Sequence, residues 1–378
     1  MLGFTLVSFA MSFQTCLISM PYTIYSPRLK DSAHARYTGS TLVHQIALSM
    51  LIMVVLTIAE RVLSQGVGPQ DLLPVLRALI VVIPFMLLWD YARRVCFAAL
   101  QMQTALIIDS SVAILQICGL LLLAYLGLLS PARAYWVIGN ACGITAIGWL
   151  ISKRKSFMMH RGHVISDLQQ NWSIGYWIFA SSVLYIISTD LYPWFLVAFH
   201  GPTSAGIWAV CLGTVAISNP IFLALQNSLS PRIAHAYAEG GSEVLRGFSL
   251  RAATAFGLAI SPFCAVQLIF GSIFVTLLYG DKYDGNGLVV SMLALNMLVS
   301  ALAFSPSRAL FTIDRANVEF KINFSSLLVL FSVGLWLVWS FGPVGAASGM
   351  LLGNLIGLIL RYFAFSRLVR SDAGRHST

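Results

Sequence analysis

The chain has 378 residues, of which 58% are hydrophobic and 10% are charged, and its mean hydropathy is +0.82. Soluble domains carry roughly 25% charged residues, so this composition excludes a soluble fold and indicates a chain that lies in lipid. A net charge of +9 is compatible with nucleic-acid binding, but the positions of the basic residues explain the charge differently, and we expect no nucleic-acid partner.

Apolar runs long enough to cross a bilayer recur along the whole chain. A membrane-spanning helix needs about 20 mostly apolar residues, because each residue adds about 1.5 Å and the hydrocarbon core is about 30 Å thick. The sequence contains about eleven such runs and therefore predicts an all-α integral membrane protein. The runs are Leu2 to Tyr25, Thr41 to Val62, Leu72 to Trp89, Thr104 to Leu129, Ala134 to Ile151, Ser173 to Ala198, Ile207 to Leu229, Ala252 to Leu278, Leu288 to Phe304, Val318 to Phe341 and Val344 to Phe365.

The basic residues predict the orientation of the chain. Of the 23 lysines and arginines, 19 fall in one set of alternate connections, and four (Arg61, Arg77, Arg133 and Lys282) fall in the other set. Lysine and arginine concentrate on the cytoplasmic side of membrane proteins. We therefore expect a cytoplasmic C-terminus and a periplasmic N-terminus.

The two halves of the chain carry similar short strings in the same order. Each residue of the first set lies the same number of positions before its counterpart in the second set. The pairs are Arg94 and Arg308, Phe97 and Phe311, Asp109 and Asn323, and Gly139-Asn140 and Gly353-Asn354. Since both sets of helices are predicted to run in the same direction, the spacing indicates a parallel repeat about an axis along the membrane normal. The first five spans then correspond to the last five, and the sixth span has no partner.

This repeat predicts two lobes. We expect five helices over residues 1–151, a basic cytoplasmic linker over 152–172, six helices over 173–366 and a cytoplasmic tail over 367–378. The simplest architecture is six plus six helices with the N-terminal helix missing, either through a misassigned start codon or through a real truncation.

Several strings resemble the polysaccharide-unit flippases (O-antigen and exopolysaccharide, Wzx-like) of the multidrug/oligosaccharidyl-lipid/polysaccharide exporter superfamily. The resemblance covers nearly the whole chain and is strongest over residues 173–300. The strings are Tyr91-Ala92-Arg93-Arg94, Ser181-Ser182, Asp190-Leu191-Tyr192-Pro193, Gly201-Pro202, Leu225-Gln226-Asn227, Ser230-Pro231-Arg232, Ala236-Tyr237-Ala238-Glu239-Gly240 and Leu278-Tyr279-Gly280-Asp281-Lys282-Tyr283.

The resemblance implies a transporter that moves undecaprenyl-diphosphate-linked oligosaccharide units across the bacterial inner membrane by alternating access. It implies a lipid-linked substrate, the bilayer itself, a coupling proton or sodium ion and other polysaccharide assembly proteins as partners. It also implies that the first helix of the family, which this sequence lacks, lines the central cavity.

Three arginines are candidate ligands for the diphosphate, because an ionisable residue within a span usually has a function. Arg77 lies about five residues into the third span, and Arg93 and Arg94 lie at its other end. Their alternative roles remain open: Arg77 can extend to the membrane interface, and Arg93 and Arg94 can be ordinary cytoplasmic anchors.

Asp190 is the candidate ion-coupling residue, because it lies deep in the sixth span and needs a cation, a proton or a hydrogen-bond partner there. Its alternative role is to cap a helix that restarts at Pro193. Gln226 and Asn227 lie in the family-like stretch and are candidate ligands of the sugar.

Other function classes have less support in the sequence. A multidrug antiporter of the same superfamily would need acids and aromatic residues facing an organic cation, and a polysaccharide polymerase or transferase would need a sizeable extramembrane loop. His160 and His163 lie in a basic segment without a cysteine and are weak evidence for a metal site, so we expect no metal. We also expect no cofactor and no catalytic residue.

Overall fold

The computed structural model describes residues 2–66, 69–154, 157–158 and 161–376, and within these ranges the regular elements are helices, with no strand. Short 3₁₀ and π turns join or interrupt several of them. The helices are α1 (Leu2–Gln14), α2 (Met20–Tyr25), α3 (Asp31–Ser64), α4 (Leu73–Ala98), α5 (Met102–Tyr125), α6 (Pro131–Ser152), α7 (Arg161–His200), α8 (Pro202–Val215), α9 (Asn219–Tyr279), α10 (Gly287–Thr312), α11 (Ala316–Val329) and α12 (Leu335–His376).

The helices are those of a multi-span membrane protein. In lipid, a helix satisfies every backbone N–H and C=O group within its own segment, so apolar sequences fold this way. Nine helical stretches among the described residues are long and apolar enough to cross a bilayer. Two of them, Pro202–Tyr279 and Ala316–Val369, have 78 and 54 residues. Their backbones leave the helical conformation at Gly240 and Gly241 and at Gly342, so the number of spans, about eleven, stays a prediction.

Several helices extend beyond the apolar runs that predicted them. α3 begins at Asp31, where the sequence predicted a loop as far as Thr41, and the described residues 161–172 of the predicted linker are helical. α4 continues to Ala98, so Arg93 and Arg94 lie inside the helix and not at its end. Polar residues form helices almost as readily as apolar ones. A count of apolar residues therefore finds only the part of each helix that lies in hydrocarbon.

The chain divides into two compact units, one ending at Tyr176 and the other beginning at Trp177. The boundary lies inside α7, so the residues before Trp177 in this helix belong to unit 1. Leu87 and Tyr91 are fully buried in unit 1, and Phe256 and Ile260 are fully buried in unit 2. The predicted lobes remain a prediction, and α12 continues through the described part of the predicted tail.

The turn that ends α4 supports the parallel repeat, because α10 ends in the same way. The two helices have 26 residues each, and their first residues have the same spacing as the repeated strings. Leu100 and Asp314, which also have this spacing, have positive φ angles of 56° and 58°. Equivalent hydrogen bonds close both turns: the N–H groups of Ala99, Leu100 and Gln101 donate to the carbonyls of Val95, Phe97 and Cys96, and those of Ile313, Asp314 and Arg315 donate to Ala309, Phe311 and Leu310.

Glycines allow α6 to pack closely against α4. A Cβ atom added at Gly139 would lie 2.2 Å from the Cβ atom of Val82, and one added at Gly143 would lie 2.9 Å from the ring of Phe85. At Gly148, on the same helix, such an atom would have no described residue within 4 Å. The contact between the two helices therefore depends on the missing side chain at Gly139 and Gly143, and not at Gly148.

We expect Gly139→Ala to lower the free energy of unfolding by about 1–3 kcal/mol, because the new methyl group overlaps Val82. Gly148→Ala is the matched control: it should leave stability unchanged or raise it by up to about 1 kcal/mol, since alanine favours the helix. Thermal unfolding in detergent would compare the two variants. Equal midpoints would contradict the proposed packing.

Candidate functional site

Arg93 and Arg94 lie in a cluster of charges that compensate one another. Arg93 Nε is 2.7 Å from Asp109 Oδ1, and both arginines lie 3.6 Å from Asp90 Oδ1. The guanidinium of Arg93 also stacks over the ring of Trp89, 4.7 Å from its centroid. The sequence analysis identified both arginines but missed Asp90, although its spacing of three and four residues on the same helix was a usable signal.

A buried chain of amide side chains continues from Asp90 into unit 1. Gln14 Nε2 donates to Asp90 Oδ2 at 3.3 Å and to the carbonyl of Leu87 at 3.0 Å. Gln45 Nε2 donates to Gln14 Oε1 at 3.4 Å and to Ser49 Oγ at 3.3 Å. Gln14, Gln45 and Asp90 are all buried. Polar side chains from α1, α3 and α4 thus meet inside unit 1.

Arg77 is separate from this cluster. It lies more than four turns before Arg93 on α4, which is about 24 Å along a helix. Its Nε donates to Glu60 Oε1 of α3 at 2.8 Å, while 66% of its side chain remains exposed. Arg77 is therefore an accessible cation that already has an acidic neighbour, and the sequence analysis did not anticipate that neighbour.

Asp190 is exposed on α7, and the Thr189 hydroxyl donates to its Oδ1 at 3.3 Å. α7 runs without a break from Arg161 to His200, with Pro193 inside it. The alternative role for Asp190, the cap of a helix restarted at Pro193, is therefore wrong. The helical backbone continues through this proline because its ring removes only one backbone hydrogen bond.

A small open recess lies among the helices of unit 2, and its α7 lining residues come both before and after Asp190 in the chain. Its polar lining residues are Tyr185, Ser188, Thr189 and Tyr192 from α7, Asn323 and Ser326 from α11, and Asn354 from α12. Gln226 and Asn227 are half-buried on α9 and do not belong to this lining. The recess thus offers hydroxyl and amide groups, and Asp190 lies between two of its α7 lining residues, Thr189 and Tyr192, without belonging to the lining.

A buried ion pair contacts one lining residue of the recess, Asn323. Arg361 donates to Glu319 Oε1 through Nε at 2.8 Å, its Nη2 lies 2.7 Å from the same oxygen, and the two residues are 7% and 3% exposed. Arg361 Nη2 also donates to Asn323 Oδ1 at 2.7 Å. The sequence analysis missed this site, because it counted Arg361 only as a basic residue of the cytoplasmic face.

Within the described ranges, no group of three or more histidine, cysteine, aspartate or glutamate side chains could hold a metal ion. Of the two histidines considered for a metal, His160 lies outside the described residues.

A sequence model of the family described as "Polysaccharide biosynthesis protein" matches residues 2–237. The chain belongs to this family. The match includes the strings around Arg93, Asp190 and Gln226 that carried the resemblance, and it ends before the string that begins at Leu278. The family that the sequence analysis identified is therefore confirmed.

Two curated proteins of polysaccharide biosynthesis are similar in sequence. The capsular polysaccharide biosynthesis protein CapF of Staphylococcus aureus is 20% identical over 222 residues, which is 58% of this chain and 56% of CapF. The lipopolysaccharide biosynthesis protein WzxC of Escherichia coli K12 is 24% identical over 215 residues, which is 56% of this chain and 43% of WzxC. The chain thus spans about half the length of these two relatives.

Solved transporter structures share the fold of this family member. The MATE transporter VcmN of Vibrio cholerae in its bent form has a TM-score of 0.84 at 15% identity, over 97% of this chain and 87% of that chain. A MOP-superfamily transporter from Pyrococcus furiosus has a TM-score of 0.80 at 12% identity, over 98% and 85%. These likenesses confirm an all-α membrane fold of the MATE type.

We expect Asp90→Leu to lower the free energy of unfolding by about 2 kcal/mol. The change removes the carboxylate that accepts from the buried Gln14 and compensates Arg94, so Gln14 loses one acceptor and Arg94 loses an opposite charge. Asp281→Leu is the control, since Asp281 is exposed in the turn after α9. Thermal unfolding in detergent distinguishes the variants, and an unchanged midpoint for Asp90→Leu would show that the cluster does not stabilise unit 1.

Proposed function

We propose that the chain is a flippase that moves undecaprenyl-diphosphate-linked oligosaccharide units across the bacterial inner membrane for surface polysaccharide synthesis. The match to the polysaccharide biosynthesis family over residues 2–237 carries this proposal. Alternating access is the mechanism that the MATE-type fold and the division of the chain into two units favour. The cytoplasmic C-terminus and periplasmic N-terminus remain part of the proposal.

Arg77 is the cation that we propose for the diphosphate on the periplasmic side. Its side chain is largely exposed, and a guanidinium donates several hydrogen bonds to phosphate oxygens. Glu60 pairs with Arg77 in the absence of substrate and would be displaced by the stronger negative charge of the diphosphate. Arg93 and Arg94 are proposed as weaker contacts near the other leaflet, because Asp90 and Asp109 already compensate them.

Asp190 is proposed as the coupling site for a proton or sodium ion. The support is its position on α7 after the hydroxyl groups of Ser188 and Thr189, which can supply neutral oxygen ligands. Gln226 and Asn227 are proposed as sugar contacts, because amide groups on a membrane helix can donate to and accept from sugar hydroxyls. Other polysaccharide assembly proteins are proposed partners.

A multidrug-type antiporter is the second candidate, since the solved structures that share the fold include a multidrug resistance MATE transporter. An antiporter would expel a cationic dye from vesicles, whereas a flippase would move the lipid-linked sugar. An intramembrane polymerase or transferase would instead change the length or the carrier of the glycan. Product analysis of the same vesicles distinguishes these functions.

Arg77→Ala should slow transport about tenfold, because a lost charge-assisted hydrogen bond is worth about 1.5–3 kcal/mol. The probe is undecaprenyl diphosphate carrying a fluorescent N-acetylglucosamine, and dithionite quenching in proteoliposomes reports which leaflet holds it. Arg77→Lys should retain part of the rate. Arg133→Ala is the control: Arg133 is predicted on the same side, and its guanidinium donates to the carbonyl of Leu128. An unchanged rate in Arg77→Ala would remove Arg77 from the site.

Asp190→Asn should abolish the stimulation of transport by an imposed proton or sodium gradient, because the amide cannot carry the compensating negative charge. The same fluorescent probe is followed with and without each gradient. Asp281→Asn, which changes an exposed acid in a turn, should retain the stimulation. If Asp190→Asn still responds to the gradient, the coupling ion binds elsewhere.

A further inference from the structure

A hydrogen-bonded contact holds α7 to α11 in unit 2. Asn323 Nδ2 donates to Ser181 Oγ at 2.8 Å and to the carbonyl of Ser181 at 3.2 Å. Both residues are buried. Ser181 lies one turn before Tyr185, the first α7 residue of the recess, and Asn323 is itself part of the recess lining. The contact therefore lies at the edge of the recess.

Arg361 determines which way the amide of Asn323 points. A guanidinium has only donors, so the atom of Asn323 that faces Arg361 Nη2 at 2.7 Å must be the carbonyl oxygen. The amide nitrogen is then directed towards Ser181. Glu319 in turn holds the guanidinium in place, with both Nε and Nη2 within 2.8 Å of its Oε1.

Stability alone does not explain a buried ion pair of this kind. Two charges lose their hydration when they are buried, and apolar residues of similar size often stabilise a protein as well or better. Glu319 Oε2 is buried and has no hydrogen-bond partner among the described residues, so the desolvation of this carboxylate is only partly compensated. A positioning role gives the pair a function that an apolar replacement could not supply.

The position of unit 1 that corresponds to Asn323 in the repeat has a different residue and a different arginine partner. Asp109, the counterpart of Asn323 in the repeat, receives its arginine from the preceding helix α4, whereas Asn323 receives its arginine from the following helix α12. An amide can accept from an arginine and donate to Ser181 at the same time, whereas an ionised carboxylate has no hydrogen to donate. The asparagine at position 323 thus fits a contact among three helices.

We propose that Glu319 and Arg361 are positioning residues, which orient Asn323 so that it fixes α7 against α11 and thereby sets the shape of the recess. The pair acts through Asn323 and does not itself belong to the recess lining. Only the consequence for transport rests on the proposed function. The positioning itself is a property of unit 2 and can be measured without a substrate.

The test removes the pair without leaving a single charge buried, by combining Glu319→Met with Arg361→Met. Nitroxide labels are placed on the exposed positions Ile186 of α7 and Leu328 of α11 through Ile186→Cys and Leu328→Cys. The background carries Cys118→Ser, because Cys118 is the exposed native cysteine and the other five are buried. Electron paramagnetic resonance of the protein in lipid nanodiscs then reports the distance between α7 and α11.

We expect a narrow distance distribution in the parent and its loss in the paired methionine variant. Asn323→Ala, which keeps the ion pair, should give the same loss, and adding it to the methionine pair should produce no further change. Ser249→Ala combined with Ser305→Ala is the matched control, because it removes a buried hydroxyl contact between α9 and α10. This control should retain the narrow distribution.

A pair that only stabilises the fold would lower the thermal midpoint and leave the distance distribution of the folded protein unchanged. That result in the methionine variant, or an unchanged distribution in Asn323→Ala, would overturn the proposal. Transport of the fluorescent lipid-linked sugar is measured on the same preparations and should fall in both variants. If the parent moves no probe, the proposed function fails, while the distance measurement still decides the positioning role.

Discussion

A polar group within the hydrocarbon part of a membrane helix is stabilised by partners within the protein, because the surrounding hydrocarbon offers none. This constraint explains the interior of both units. In unit 1 two arginines of α4 lie beside two aspartates, and Gln14 donates a hydrogen bond to Asp90. In unit 2 Arg361 lies between Glu319 and Asn323. The positions of the charges are therefore set by their partners as much as by the apolar pattern.

The sequence predicted those parts of the fold that leave a pattern in the order of the residues. Apolar runs identified the membrane helices, and a constant spacing between matching strings identified a repeat that appears again in the backbone of the turns at Leu100 and Asp314. The first residues of α3 and α7 were predicted poorly, since the first turns of these helices are polar and carry no apolar signal. The family was also recognisable, because its short strings survive in this chain.

The candidate sites were less predictable. Single arginines such as Arg77 stood out in the sequence, but their acidic partners lie on other helices, as Glu60 does, or attracted no attention, as Asp90 did. Arg361 shows the difficulty best. Its partner Glu319 is 42 residues away, and the basic residue was fully explained by the charge rule for cytoplasmic segments. Pairing across helices depends on packing, which a single sequence does not display.

The turns after α4 and α10 have a bearing on how this fold tolerates divergence. Leucine at one turn and aspartate at the other adopt the same left-handed conformation, and main-chain hydrogen bonds close both turns. The hydrogen bonds that close the turn involve no side chain, so residues as different as leucine and aspartate occupy its left-handed position. Such turns can accumulate substitutions while the directions of the helices stay the same. This is consistent with the TM-score of 0.84 to VcmN at 15% identity.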